Sequence, residues 1–306
     1  MARERFINKK FKAETQLLID RINLIVAEYQ AMGYVLSLRQ AYYQCVTRNW
    51  VENTEQSYKN VGSAVTDGRL AGLIDWDAIE DRGRKLKKNT HWGSPAEIVN
   101  ICAEQYAIDK WSPQPNFVLV MVEKEALAGV LQPACSKVDV RFAANKGYGS
   151  ASFFYEVGKL LNRMDTRGKK LHVLYLGDHD PSGIDMTRDV RERLELLSRC
   201  NVNVHRLALN YDQVEEHQPP PNPTKISDSR AAAYINRFGY ESWELDALRP
   251  DLLASLVTEF VVGLRDQDLW ENAEQREFEE RRQLQQVAKG FEAGTLNLND
   301  VDDDEE

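Results

Sequence analysis

The sequence predicts an α/β protein in which an N-terminal helical module precedes a mostly parallel sheet with helices on both faces. Two observations carry this. Up to about residue 69 apolar residues recur at helical spacing, whereas beyond Asn116 short unbroken apolar runs alternate with helical segments. A strand of a parallel sheet is covered on both sides by crossover helices, so it reads as a continuous apolar run.

The elements follow in order. Residues 14–31 place Leu17, Leu18, Ile22, Ile25, Val26 and Tyr29 at helical spacing, ending at Gly33. Ser37 is placed to cap a second helix reaching about Asn49, and Thr54 or Glu55 opens a third that ends at Arg69. The next stretch, LAGLIDWDAIEDRGRKLKK, alternates loosely and is rich in turns and bases, as a short hairpin would be. Three helices and a basic hairpin are the order of a winged-helix module, with residues 55–69 as the second helix of its helix-turn-helix pair.

WSPQPN, residues 111–116, is the natural linker. FVLVMV, KVDV, LHVLYL and VHRLAL then read as four strands, each of the first three followed by a helix. A Pro-rich loop, QPPPNPTK, leads to helices over 228–238 and 249–264, then a polar helix, and LNDVDDDEE reads as disordered. The expected domains are 1–110, DNA-binding and winged-helix; 116–265, the sheet; and 266–306, the polar helix and acidic tail.

The net charge of −9 hides an uneven distribution: residues 266–306 hold 14 Asp and Glu against 4 Lys and Arg, leaving 34 acids and 35 bases in residues 1–265. The body is balanced, so nucleic acid is not excluded as a partner, and the tail opposes it. Cys45, Cys102, Cys135 and Cys200 lack CxxC spacing, which argues against a zinc site and for reduced thiols in a cytoplasmic protein. No signal-peptide core or apolar run of membrane length occurs.

The chemistry concentrates in YLGDHDPSGID, residues 175–185. Ligands of an open parallel sheet collect beyond the carboxyl ends of its strands. Glu123 ends the first strand, and Asp178 and Asp180 end the third. If those strands are neighbours, three carboxylates converge; alone they would raise one another's pKa, whereas Mg²⁺ keeps all ionised. NKGYGS ends the second strand, where Lys146 and the backbone at Gly147 would face a phosphate. Plainer readings stand beside these. The aspartates would cap the following helix, Glu123 would favour a helix dipole, and His179 would be exposed by the turn without a role. Glu244 and Asp246 in WELDAL read as a helix start or as accessory metal ligands.

Glu123 in VMVEKEA with Asp178 and Asp180 in GDHDPSG resembles the Toprim metal site of type II topoisomerases, primases and related nucleases. A winged-helix order ahead of it makes the chain, over roughly residues 34–265, similar to the topoisomerase VI A subunit and its relative, the meiotic double-strand-break transesterase. That family presents its nucleophile in a motif like Arg-x-x-Tyr-Tyr; SLRQAYYQCV supplies Arg39, Tyr42 and Tyr43, the second tyrosine being the catalytic one by resemblance. The resemblance implies Mg²⁺-dependent cleavage of double-stranded DNA through a phosphotyrosyl link. It also implies a homodimer in which the tyrosine of one protomer serves the metal site of the other, and an ATPase B-type subunit encoded separately. The chain is shorter than a usual A subunit.

Helical geometry bears on the tyrosine independently. Leu38, Ala41, Tyr42 and Cys45 share one stripe, so Tyr42 belongs to the core. Tyr43 is rotated by about 100° and shares a face with Arg39 and Thr47. There Arg39 would hold the scissile phosphate and favour the phenolate, since a phenol of pKa about 10 is a poor nucleophile. Three alternatives stay open: Tyr43 is an ordinary surface or interface tyrosine; the protein is a Toprim nuclease that uses water, serving defence against foreign DNA; or it is a DNA-binding or assembly protein that does not cut.

Overall fold

In the computed structural model, residues 3–80, 91–145 and 149–293 are described. Helix α1 (Ala13–Ala31) buries Ile19, Ile22, Ile25, Val26 and Tyr29, and the chain leaves it through Gly33 at φ +83°, a left-handed backbone that glycine adopts without penalty. Strand β1 (Leu36–Ser37) runs straight into α2 (Leu38–Thr47). Ser37 caps α2 by accepting from the Gln40 backbone, while the Gln40 side chain accepts from the Ser37 N–H, a capping box. Thr54 caps α3 (Glu55–Leu70) through the Ser57 N–H, and β2 (Ile79–Glu80) pairs in parallel with β1. Ile22, Ile25, Ala41, Cys45, Val61 and Val65 close the core between the three helices. The basic half of the expected hairpin lies outside the described residues.

Helix α4 (Pro95–Gln105) precedes the sheet. Strand β3 (Asn116–Val122) passes through one 3₁₀ turn into α5 (Ala128–Lys137), then β4 (Arg141–Ala144) and α6 (Ala151–Asp165). Strand β5 (Lys170–Leu176) leads to α7 (Pro181–Ser198), and β6 (Asn203–Ala208) to α8 (Tyr211–His217). The two-residue β7 (Asn222–Pro223) and β8 (Glu241–Ser242) pair antiparallel around α9 (Ala231–Phe238). Helices α10 (Pro250–Gly263) and α11 (Gln267–Glu292) follow.

The sheet has the order β4-β3-β5-β6 with every pairing parallel, the mixed α/β arrangement the apolar runs predict. Phe117, Leu119 and Met121 face a core made with α6 and α7, while the alternate Val118, Val120 and Val122 are buried too. Helices α5 and α10 pack together and meet β4 and β6 respectively. The second strand begins later than KVDV suggests. Buried Val130, Leu131, Ala134 and Cys135 keep the chain helical through Lys137, Asp139 turns it at φ 54°, and β4 starts at Arg141.

The compact units are Met1–Gly83 with Asn116–Leu264, and Arg84–Pro115 with Arg265–Glu306. This grouping differs from the expected domain boundaries. The polar helix α11 packs along α4, with Trp111 edge-on to Trp270 at 6.2 Å, so residues 91–115 belong with it and not with the N-terminal helices. Within that unit Glu277 is buried and accepts from the Ile108 N–H, with Lys110 at 3.1 Å and Arg281 at 3.0 Å. No helix among the described residues is long and apolar enough to cross a membrane.

Candidate active site

Strands β3 and β5 are neighbours with Val122 opposite Leu176, so Glu123 and Gly177 leave the sheet side by side. The Glu123 N–H donates to the Leu176 carbonyl at 2.9 Å, and Glu123 Oε2 accepts from the Asp178 N–H at 2.9 Å. Gly177 makes room for that carboxylate, since a Cβ there would stand 2.8 Å from Glu123 Oε2. Asp180 caps α7 by accepting from the Gly183 N–H at 2.6 Å through Oδ1, leaving Oδ2 outside the cap. Capping and a metal role are therefore compatible for this side chain.

Arg206, from β6, fastens the loop. Its guanidinium donates to the carbonyls of Asp178 (2.6 Å), Gly177 (3.1 Å) and Gly183 (2.9 Å) and to Thr187 Oγ1 (2.7 Å). A Cβ at Gly183 would lie 2.2 Å from the Asp178 carbonyl oxygen, which is backbone and cannot swing aside. Gly183→Ala is therefore expected to cost about 1–3 kcal/mol in urea unfolding; an unchanged midpoint would mean that this loop is not fixed as described.

His179 is the clearest departure from the expectation that the turn exposes it. It is 1% exposed, ringed by Tyr211, Tyr234, Phe238 and Trp243. Its backbone N–H and carbonyl pair with those of Trp243 at 2.8 and 2.9 Å. The Tyr234 hydroxyl lies 2.7 Å from the imidazole Nδ1 and within reach of the His179 and Glu241 carbonyls, at 2.9 and 3.2 Å. Burial, with the charges of Arg206 and Arg237, pushes the imidazole down to about 4 and keeps it neutral. His179 thus ties the Asp178–Asp180 loop to the segment carrying Glu244 and Asp246.

That segment does not start α10, whose N-cap is Arg249. It turns once as a 3₁₀ helix over Leu245–Ala247, and the Leu245 N–H donates to Asp178 Oδ1 at 2.8 Å. Lys124 Nζ lies 2.7 Å from Asp178 Oδ2, 2.5 Å from Glu244 Oε2 and 3.8 Å from Asp246 Oδ2. Arg39 reaches the same acids from α2, its Nε 2.6 Å from Asp246 Oδ2 and its Nη2 on Glu244. In the expected role Arg39 holds a phosphate; here carboxylates occupy it.

Tyr42 is in the core as its stripe predicts, with its hydroxyl on Asn53 Oδ1 at 3.0 Å. Tyr43 is buried as well, at 5% exposure, although the α2 pattern turns it away from that stripe. Its ring lies 5.7 Å from the Arg39 guanidinium carbon and beside a cleft of about 330 Å³ lined also by Asn222, Asn53 and Glu244. Burial and then Glu244 push its phenol up to about 12, against the opposing pull of Arg39, a hydrogen bond with Asn222, and Lys124. Tyr43 and the acidic segment thus meet within one chain. Sequence reasoning missed Lys124, Arg206, Asn222 and the buried His179. Only Lys124 had a signal, as a base next to a strand-end acid. Lys146 and Gly147 lie outside the described residues.

The test for a divalent ion rests on charge and donor chemistry. Glu123, Asp178, Asp180, Glu244 and Asp246 stand against Lys124, Arg39 and Arg206, five acids against three bases, a formal excess of two negative charges when every acid is ionised. Burial, then the charge of Asp178, lifts Glu123 to about 7; burial lifts Asp178 to about 6 despite Lys124. Carboxylates so crowded are short of a cation, and oxygen donors with that charge fit Mg²⁺. As the side chains stand, no three His, Cys, Asp or Glu among the described residues are grouped as a metal centre; Asp178 is turned onto Lys124 and Leu245.

No protein-family model matches the chain, and no curated protein matches it at a significant level.

Proposed function

We propose that this protein cuts double-stranded DNA in a Mg²⁺-dependent reaction in which Tyr43 attacks the backbone phosphorus. The observation that carries the reading is the placing of Glu123, Asp178 and Asp180 just past the ends of neighbouring strands, in the compact unit that also holds Tyr43. Glu123, Asp178 and Asp180 would hold the ion, and when bound it supplies positive charge where the transferring phosphoryl group develops negative charge. Tyr43 Oη gives its proton to solvent and bonds to phosphorus, the phosphorus–oxygen bond to one sugar breaks, that oxygen takes a proton from solvent and leaves as a hydroxyl, and a phosphotyrosyl ester holds the other cut end. Arg39 is placed to favour the phenolate once Glu244 no longer opposes it. Through the resemblance the proposal extends to a winged-helix DNA contact, a homodimer supplying two tyrosines for two strands, and a separate ATPase subunit.

One observation favours hydrolysis by water instead: Tyr43 is 5% exposed and its phenol is pushed up to about 12, poor conditions for a nucleophile. Tyr43→Phe decides between them. Supercoiled DNA is incubated with Mg²⁺ and denatured with and without protease. Transesterification predicts loss of the protein-bound product and a fall in cleavage of about a thousandfold or more. Cleavage that persists without an adduct establishes the hydrolytic reading, and no cleavage by the unmodified protein leaves DNA binding alone.

A further inference from the structure

Lys124 has an arrangement that a surface lysine does not need. It follows Glu123 directly at the end of β3, yet only 21% of its side chain is exposed. Three carboxylates converge on its ammonium: Asp178 at 2.7 Å and Glu244 at 2.5 Å, with Asp246 at 3.8 Å. They come from two segments, the loop after β5 and the turn after β8, and the Leu245 N–H clips those segments together on Asp178 Oδ1. Asp246 is the third side of the arrangement. Its side chain has no exposure and its two oxygens receive no hydrogen bond from the described residues, among which Arg39 and Lys124 supply the compensating charges.

In phosphodiester chemistry two metal ions often sit about 3.5–4 Å apart and share carboxylates. Here one carboxylate, Asp178, has Oδ2 on an ammonium while its backbone N–H is accepted by Glu123. The carboxylate set divides accordingly, with Glu123 and Asp180 on one side of Asp178 and Glu244 and Asp246 on the Lys124 side.

We propose that Lys124 is a positioning residue standing where a second divalent ion would otherwise bind, so that each chain takes one ion, on the Glu123, Asp178 and Asp180 side. This rests on the metal-dependent reading of the site. A fixed ammonium supplies one positive charge with no coordination sphere to fill, and it holds Asp178 and Glu244 in register before any ion arrives. Removing it leaves Asp178, Glu244 and Asp246 as an oxygen-rich set short of a cation, which a divalent ion fills.

The test counts ions without measuring cleavage. Mn²⁺ is titrated into the whole chain and free Mn²⁺ is read from its paramagnetic resonance signal. The expected results are one bound Mn²⁺ per chain for the unmodified protein and for Lys124→Arg, and a second for Lys124→Gln, with signal broadening from two neighbouring ions. Two ions in the unmodified protein overturn the proposal whether or not the variants fold. So does a folded Lys124→Gln that still binds one. No bound ion in the unmodified protein overturns instead the metal-dependent reading beneath it.

Discussion

Asp178→Asn is expected to lose Mg²⁺-dependent DNA cleavage by about a hundredfold or more while unfolding at nearly the same temperature as the unmodified protein. The loss follows from the several kcal/mol that a metal ion contributes to a phosphoryl transition state, at about 1.4 kcal/mol per factor of ten. Retention of the fold follows from the contacts of Asp178. Asparagine keeps the Oδ1 acceptor for the Leu245 N–H, and although it sets an amide NH2 where Oδ2 accepted from Lys124, the ammonium keeps Glu244 at 2.5 Å. From the sequence, any neutral replacement relieves repulsion among crowded acids. The contacts separate the replacements, because Asp178→Ala also orphans a buried N–H, at about 1–3 kcal/mol. Nicking of supercoiled DNA and thermal unfolding, run on both variants, check this. Full cleavage by folded Asp178→Asn would remove the carboxylate from the mechanism.

His179→Ala is expected to destabilise the protein by about 3–5 kcal/mol at pH 7, the range for emptying a large aromatic site, because it removes a ring packed among four aromatic side chains. The effect depends on pH with a definite sign. The imidazole is pushed down to about 4 in the fold, against an ordinary value near 6.5. The unfolded chain therefore binds the proton first. The stability His179 contributes is complete above about pH 6.5 and is lost as the pH falls toward 4. Urea unfolding at pH 7 and pH 5 should show the gap between unmodified protein and His179→Ala narrowing on acidification. A constant gap would show that the fold leaves the imidazole pKa unshifted, and a widening one that the fold favours its charged form; either overturns this account.

Much of the sheet was legible because its signal is local: FVLVMV and LHVLYL are unbroken apolar runs, and neighbouring parallel strands bring their ends together. The caps Ser37 and Thr54 were legible for the same reason, since a cap acts within three residues. KVDV misled because a β-branched residue after an amphipathic helix serves equally as the end of that helix, which is the place of Val138. Within the site, the acids declare themselves by position after strands. Their partners do not. Arg39 meets Glu244 across 205 positions of sequence and Lys124 meets it across 120, and no periodicity reports such a pairing. His179 was misread because a histidine between two turn aspartates looks solvent-facing, and its cage is assembled from residues 211–243.

The pairing of α4 with α11 has a consequence for the order in which the chain is made. Trp111 leaves the ribosome well before Trp270, the ring it packs against. At about 5–20 residues per second that wait is on the order of ten seconds. The unit holding the sheet and Tyr43 ends at Leu264, so its whole sequence has emerged before the first turn of α11 exists. Through that interval residues 91–115 have no α11 to pack against. A chain stopped near residue 264 would leave α4 without its helix partner.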